Sequence, residues 1–247
     1  MEFKVLGHVT VVYKENLLTL SKSKVGQTLS LLIARLNETV SVETLIDELW
    51  EMNAPRSVQT TLQTYVYHAR RMLLRLGCDE AKERLVTRPS GYVLVADEDT
   101  LDADVFRHLA QKGTRHLDRG ETDLGAERLS EALGLWRGPA FAGIPVGPIL
   151  DAHVTYLNEL RLNATSRWIE AHKRLGHHRE LIPELRSLVS ENPLNESFHA
   201  LLIGTLHECG RRAEALQAYH RLCRILDTEL GVRPGPEVQR MYDAVSA

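Results

Sequence analysis

Carboxylates are missing from one stretch of a chain that otherwise has many. From Met52 to Cys78, MNAPRSVQTTLQTYVYHARRMLLRLGC, there is no Asp or Glu, although the whole sequence carries 33 acidic residues against 30 Lys and Arg. Other scarcities exclude whole classes of protein. Three cysteines (Cys78, Cys209 and Cys223) are too few, too dispersed and odd in number for a disulfide framework or a CxxC metal site. A reducing cytoplasm is therefore the expected location. No apolar run approaches the roughly 18 to 20 residues of a membrane span. The alternating N-terminus, MEFKVLGHVTVVYKE, lacks a signal-peptide core. His172, His177 and His178 cluster without an accompanying Cys or carboxylate pattern and are read as solvent-facing rather than as metal ligands. No Ser-His-Asp, paired-carboxylate or phosphate-cradling arrangement stands out, so no enzyme, cofactor or metal is assigned.

What remains is an ordinary globular composition, with 43% hydrophobic and 26% charged residues in 247, enough for two domains. Net charge is −3. Residues 1–97 hold 12 basic and 11 acidic side chains, and residues 98–247 hold 18 and 22. Bulk charge therefore says little and placement says more. A second acid-free run, Asn16 to Asn37, carries Lys22, Lys24 and Arg35.

The first 20 residues read as short strands around Phe3–Val5, Val9–Tyr13 and Leu17–Leu20. A helix is expected over 24–36, and a second over 42–51, opened by Ser41 as N-cap and burying Val42, Leu45, Ile46 and Leu49. After Pro55 a third runs from about Ser57 to Leu76. At 100° per residue its apolar arc holds Val58, Leu62, Tyr65, Val66, Ala69, Met72, Leu73 and Leu76. Opposite lie Thr60, Thr64, Tyr67, His68, Arg71 and Arg75, with Gln63 and Arg56 at the margin. Gly77 ends it. A hairpin fits Leu85–Thr87 and Tyr92–Val95 around Pro89-Ser90-Gly91. Past the acidic joint ADEDTLDAD (96–104), helices are expected over 103–118, 122–135, 149–174, 178–190, 195–208, 212–229 and 235–245. Their pairing at about 34 residues suggests tetratricopeptide-like packing.

Strands, three helices and a terminal hairpin make a winged helix-turn-helix. With the Arg88-x-x-Gly91-Tyr92 wing and the helix ending His-Ala-Arg-Arg-Met-Leu (68–73), residues 1–97 resemble an OmpR-type DNA-binding domain. Val105-Phe106, ALGLWRGPAFAG (132–143) and ELGVRPGPEVQRMY (229–242) extend the likeness over 98–247. In this order the motifs resemble the Streptomyces antibiotic regulatory proteins with their bacterial transcriptional activation domain. The fold implied is mainly α with small β sheets, a winged helix followed by an all-α tetratricopeptide-like domain. No receiver precedes the winged helix and no ATPase loop follows, so control by aspartyl phosphorylation is not expected.

A recognition helix places its N-terminal half in the major groove. That assigns Thr60, Gln63, Thr64 and His68 to base edges, where an amide suits adenine, a Thr methyl thymine, and imidazole guanine. The lack of Arg in this half favours A·T contacts and shape over Arg–guanine pairs. Lys22, Lys24, Arg56, Tyr67, Arg71 and Arg75 are assigned to phosphates, which set register without reading sequence. Arg70 lies nearer the apolar arc and is read as a solvated charge. The resemblance puts Arg88 in the minor groove, Glu51, Met52 and Asn53 in a loop touching RNA polymerase, and paired protomers on direct repeats of double-stranded DNA. It implies an activator of antibiotic or other secondary-metabolite genes, cytoplasmic and nucleoid-associated when bound to DNA. A tetratricopeptide-like scaffold with a docking winged helix, and a repressor acting by occlusion, remain as alternatives.

Overall fold

The structure is a computed structural model and describes every residue except Met52, Glu80, Glu98, Asp99 and Ala247. The chain divides into two compact units, one of residues 1–115 with 127–165 and one of residues 116–126 with 166–247. The first extends well past residue 97.

Its strands β1 (Glu2–Lys4), β2 (Thr10–Tyr13) and β3 (Asn16–Thr19) form an antiparallel sheet in that order, with Phe3 opposite Val11 and Val11 opposite Leu18. Helix α1 (Lys24–Ala34) follows, capped by Ser23 Oγ, which accepts from Gly26 N at 3.0 Å. A two-residue strand β4 (Val40–Ser41) leads straight into α2 (Val42–Trp50), where Ser41 Oγ accepts from Thr44 N at 3.0 Å as the sequence predicts. Helix α3 (Val58–Arg75) carries the acid-free face, and Gly77 (φ +93°) turns the chain out of it. A short helix α4 (Ala81–Arg84) precedes the wing hairpin of β5 (Leu85–Arg88) and β6 (Gly91–Leu94), and β4 pairs with β6 to give the order β4-β6-β5. The sequence reading missed β4 and α4 because two residues and one turn are too short for a periodic signal.

Helix α1 is buried on more than one side. Gly26 through Ile33 are all buried, polar Gln27, Thr28 and Ser30 included. Gln27 Nε2 donates to Glu48 O at 3.0 Å and Thr28 Oγ1 to Lys24 O at 2.7 Å, so two of the three polar side chains meet their hydrogen-bonding needs inside. α2 is less buried: Leu45 and Leu49 are buried, Val42, Ile46 and Trp50 are only half-buried, and Glu48 is 1% exposed. That carboxylate accepts from Gly147 N (2.7 Å), Ile149 N (2.9 Å) and Leu150 N (3.2 Å), capping α7 (Pro148–Arg174). Before α7 come α5 (Asp102–Asp118) and α6 (Thr122–Gly134). Asp102, at the start of α5, accepts from Val5 N at 2.8 Å and Leu6 N at 3.3 Å and pairs with Arg137. Arg137 N, Phe141 N and Ala142 N in turn donate to Leu6 O, Val5 O and Gly7 O. Backbone groups of the chain's first residues are thus satisfied by residues 96 or more positions away.

The second unit is helical. Its core gathers Leu181, Ile182 and Leu185 of α8 (His178–Glu191), Ala200, Ile203 and Leu206 of α9 (Glu196–Glu208), Ala215, Leu222 and Leu226 of α10 (Arg212–Leu230) and Val238 and Val245 of α11 (Pro236–Ser246). Helix limits agree with the sequence reading to within a residue. Between α9 and α10, Ala200, Ile203 and Ala215 are buried, while Ala213 at the start of α10 is exposed. No described helix is long and apolar enough to cross a membrane.

Candidate nucleic-acid interface

Helix α3 is divided along its length by burial. Leu62, Val66, Ala69 and Leu73 are buried, and Tyr65 stacks on Trp50 of α2 with ring centroids 5.8 Å apart and planes at 18°. These contacts fix the helix against α1 and α2 and leave the opposite face open. Thr60, Gln63, Thr64, Tyr67, His68, Arg71 and Arg75 are all exposed, Tyr67 at 55%. All four residues assigned to base edges therefore share one solvent face. Thr64 Oγ1 donates to Thr60 O at 3.0 Å, so outward it offers lone pairs and a methyl group rather than a proton. The Arg71 guanidinium lies 5.9 Å from the Tyr67 ring centroid, a cation–π contact that holds both at the edge of the face.

The first turn of α3 has neither an acidic residue nor a side-chain cap. Its free N–H groups and the positive end of its dipole therefore face outward uncompensated, a setting that favours phosphate oxygens. Arg56 is exposed just before it. Lys22 is exposed too. Lys24 is different: its ammonium group donates to Leu49 O at the end of α2 and to Gln27 Oε1 at 3.3 Å. That contact sets its charge at the C-terminus of α2, the negative end of that helix.

Arg70 is no solvated charge. Its Nε donates to Leu85 O at 2.8 Å and its Nη2 to Thr87 Oγ1 at 2.9 Å, tying the middle of α3 to the wing strand β5. The residue after Thr87 is Arg88, exposed at the wing tip and paired in register with Gly91. Gly91 is required, but not for a turn conformation. A Cβ there would lie 1.9 Å from Val40 O, so the absent side chain lets β4 approach β6. Tyr92 is buried, as expected of a residue packing the hairpin.

Of the loop between α2 and α3, Glu51 and Asn53 are exposed, and Glu51 takes a positive φ of 51°. Met52, named with them, lies outside the described residues.

The histidine cluster belongs elsewhere. His172 and His177 bring their Nδ1 atoms within 3.1 Å, His172 packs 4.3 Å from the Trp168 ring, and His178 pairs with Glu208 at 2.9 Å. All three are half-buried rather than solvent-facing. Among the described residues no group of three or more His, Cys, Asp or Glu side chains could hold a metal ion.

Comparison with known proteins agrees with this architecture from end to end. The family described as "Transcriptional regulatory protein, C terminal" matches residues 15–94, and that described as "Bacterial transcriptional activator domain" matches residues 101–246. Regulatory protein DnrI of Streptomyces peucetius is 36% identical over 99% of this chain and 92% of its own. Regulatory protein AfsR of Streptomyces griseus is 31% identical over 99% of this chain but only 24% of its own. Among solved structures, Mycobacterium tuberculosis EmbR in complex with a low affinity phosphopeptide superposes with a TM-score of 0.88 at 27% identity, over 99% of this chain and 64% of that one. DnrI and AfsR are named as regulatory proteins and EmbR as a transcriptional regulatory protein. The chain belongs to the Streptomyces antibiotic regulatory protein family, in which an OmpR-type winged helix is joined to a bacterial transcriptional activator domain.

Proposed function

We propose that this chain is a sequence-specific, DNA-binding transcriptional activator of antibiotic or other secondary-metabolite genes. The observation that carries the reading is the carboxylate-free face of α3, exposed along its length and joined through Arg70 to the wing that bears Arg88. In this reading Thr60, Gln63, Thr64 and His68 meet base edges in the major groove. Arg56, Tyr67, Arg71, Arg75 and Lys22 hold phosphates on either side, and Arg88 enters the adjacent minor groove, where narrow A·T tracts attract a guanidinium. One such domain covers too few base pairs for high specificity. Paired protomers on direct repeats, spaced so that both present the same DNA face, supply the rest. Residues 1–97 are the DNA-binding part and residues 98–247 the activating part. Glu51 and Asn53, exposed beside the recognition helix, form with Met52 an RNA polymerase contact, which favours activation over occlusion. The protein acts in the cytoplasm, on the nucleoid.

Gel retardation with the promoters of neighbouring biosynthetic genes, at several salt concentrations, tests the reading. Binding should be sequence-selective and weaken steeply with salt. Arg88→Ala should lower affinity roughly tenfold, which is the loss of about 1.5 kcal/mol expected of one charge-assisted contact. Unchanged affinity at physiological salt would remove Arg88 from the interface.

A further inference from the structure

Helices α8, α9 and α10 of the second unit enclose a groove of about 470 Å³ that the DNA-binding reading leaves without a role. Its floor is apolar, built from Val189 of α8, Leu202 of α9 and Ala218 of α10. Its rim is cationic. On α10, Glu214, Gln217, Arg221 and Arg224 recur at three- and four-residue intervals and so line one face, with Arg186 of α8 opposite. Glu214 is the one carboxylate among the described lining residues, and it is already neutralised by Arg186 at 2.6 Å and Arg211 at 2.7 Å. Arg221 and Arg224 are exposed and have no carboxylate partner among the described residues. His199, 2% exposed and also in the groove lining, is pushed below the ordinary imidazole range by burial, with the charge of Arg221 adding to the shift.

We propose that this groove is a docking site for a short acidic segment of a partner protein, which seats one or two apolar side chains on the floor and pairs its carboxylates with Arg221 and Arg224. Charge complementarity selects the occupant. In a unit with so many internal Arg–Glu pairs, two adjacent arginines left free beside an apolar floor fit a ligand that brings both carboxylates and hydrocarbon. A DNA backbone would use the arginines and gain nothing from Val189, Leu202 and Ala218. The volume is in the range of clefts that bind a few side chains, so the segment is a linear motif and not a folded domain.

The test uses the full chain and a fluorescein-labelled peptide of sequence Glu-Leu-Asp-Glu-Leu-Leu-Asp, with a second peptide in which Ser replaces each Leu. Fluorescence anisotropy should show saturable micromolar binding of the first, weakened by salt, and at least tenfold weaker binding of the second. Arg221→Glu with Arg224→Glu should lower affinity for the first peptide at least tenfold. Arg221→Gln with Arg224→Gln should give an intermediate loss, while thermal melting and promoter binding stay as in the unsubstituted chain. No saturable binding, equal binding of the serine peptide, or equal affinity in the doubly substituted chains would each overturn the proposal. So would self-association abolished by the same substitutions, which would make the occupant a second copy, or a loss of promoter binding, which would give the groove to DNA.

Discussion

Replacing Glu48 with Ala is expected to destabilise the first unit more than most single substitutions in it, although the residue lies in neither the apolar core nor the recognition face. Helix α7 starts with Gly147 as a cap that has no side chain and with Pro148, which has no N–H. The donors left at that end are Gly147 N, Ile149 N and Leu150 N, and Glu48 accepts from all three at 2.7 to 3.2 Å. Truncation would strand them in a site where the acceptor is 1% exposed. Each orphaned donor costs on the order of 1–3 kcal/mol, and the three share one acceptor, so the losses do not add fully. Losing a negative charge from a helix N-terminus contributes about 1 kcal/mol more. A total near ~4 kcal/mol follows, a large part of the roughly 5–15 kcal/mol that holds a domain folded. Melting should fall by about 10 °C, and the urea midpoint with it. Glu48→Gln keeps one acceptor oxygen and should lose about half as much. Urea unfolding followed by the fluorescence of Trp50 and Trp136, both in this unit, measures the effect. An alanine variant within about 0.5 kcal/mol of the unsubstituted chain would refute the argument.

Gly91→Ala would place a Cβ 1.9 Å from Val40 O and 2.8 Å from the Ser41 Cα. It should cost about 2 kcal/mol or more by forcing β4 from β6, and a melting temperature equal to that of the unsubstituted chain would contradict the packing reason given for this glycine. Lys22→Ala should reduce the salt dependence of DNA binding by about one unit of slope and leave melting alone. Lys24→Met should do the reverse, since that ammonium group holds Leu49 O; a change of salt slope in Lys24→Met would place it among the phosphate contacts. His153, His172 and His199 are all pushed below the ordinary imidazole value of 6.5, each mainly by burial, with Arg35, His177 and Arg221 respectively adding to the shift. As pH falls the unfolded chain takes up these protons first, so stability is full above about 6.5 and declines as pH drops toward the folded values. Melting temperature from pH 8 to pH 5 should show that fall, and His199→Gln should flatten it; a melting temperature that rose on acidification would reverse the sign and defeat the argument.

What the sequence disclosed depended on whether a residue's role repeats along the chain. The apolar stripe of α3 recurs every three or four positions, so its buried side, and by subtraction its open side, could be read before any fold was known. The long helices of the second half were marked by Gly and Pro and fell into place to within a residue. Glu48 had no such signal. In IDELWE it resembles its neighbours Asp47 and Glu51, which are exposed, and its partner lies about a hundred residues on. A clue stood at the other end: a Gly-Pro helix start without Ser, Thr or Asp at the cap needs an acceptor from elsewhere. Arg70 was misjudged for a related reason. Long cationic side chains reach past the helix face to which their Cα belongs, so an angular projection places the stem and not the charge.

Arg70 and Lys24 bear on what the proposed recognition surface is. With Lys24 withdrawn to α2 and Arg70 spent on β5, the middle of the face is carried by Thr, Gln and His, and its free cations are pushed to the margins at Arg56, Arg71, Arg75 and Lys22. A neutral centre cannot bind tightly to any sequence by charge alone, so its hydrogen bonds have to be matched before affinity appears. Arg70 makes the wing part of the same reading device: its bonds to Leu85 O and Thr87 Oγ1 set where Arg88 stands relative to Gln63 and Thr64. In the proposed complex a single side chain would then couple base contacts in one groove to a guanidinium in the next. Arg70→Ala should therefore lower the affinity for cognate DNA more than that for non-cognate DNA, whereas loss of a margin cation such as Arg75 should lower both alike.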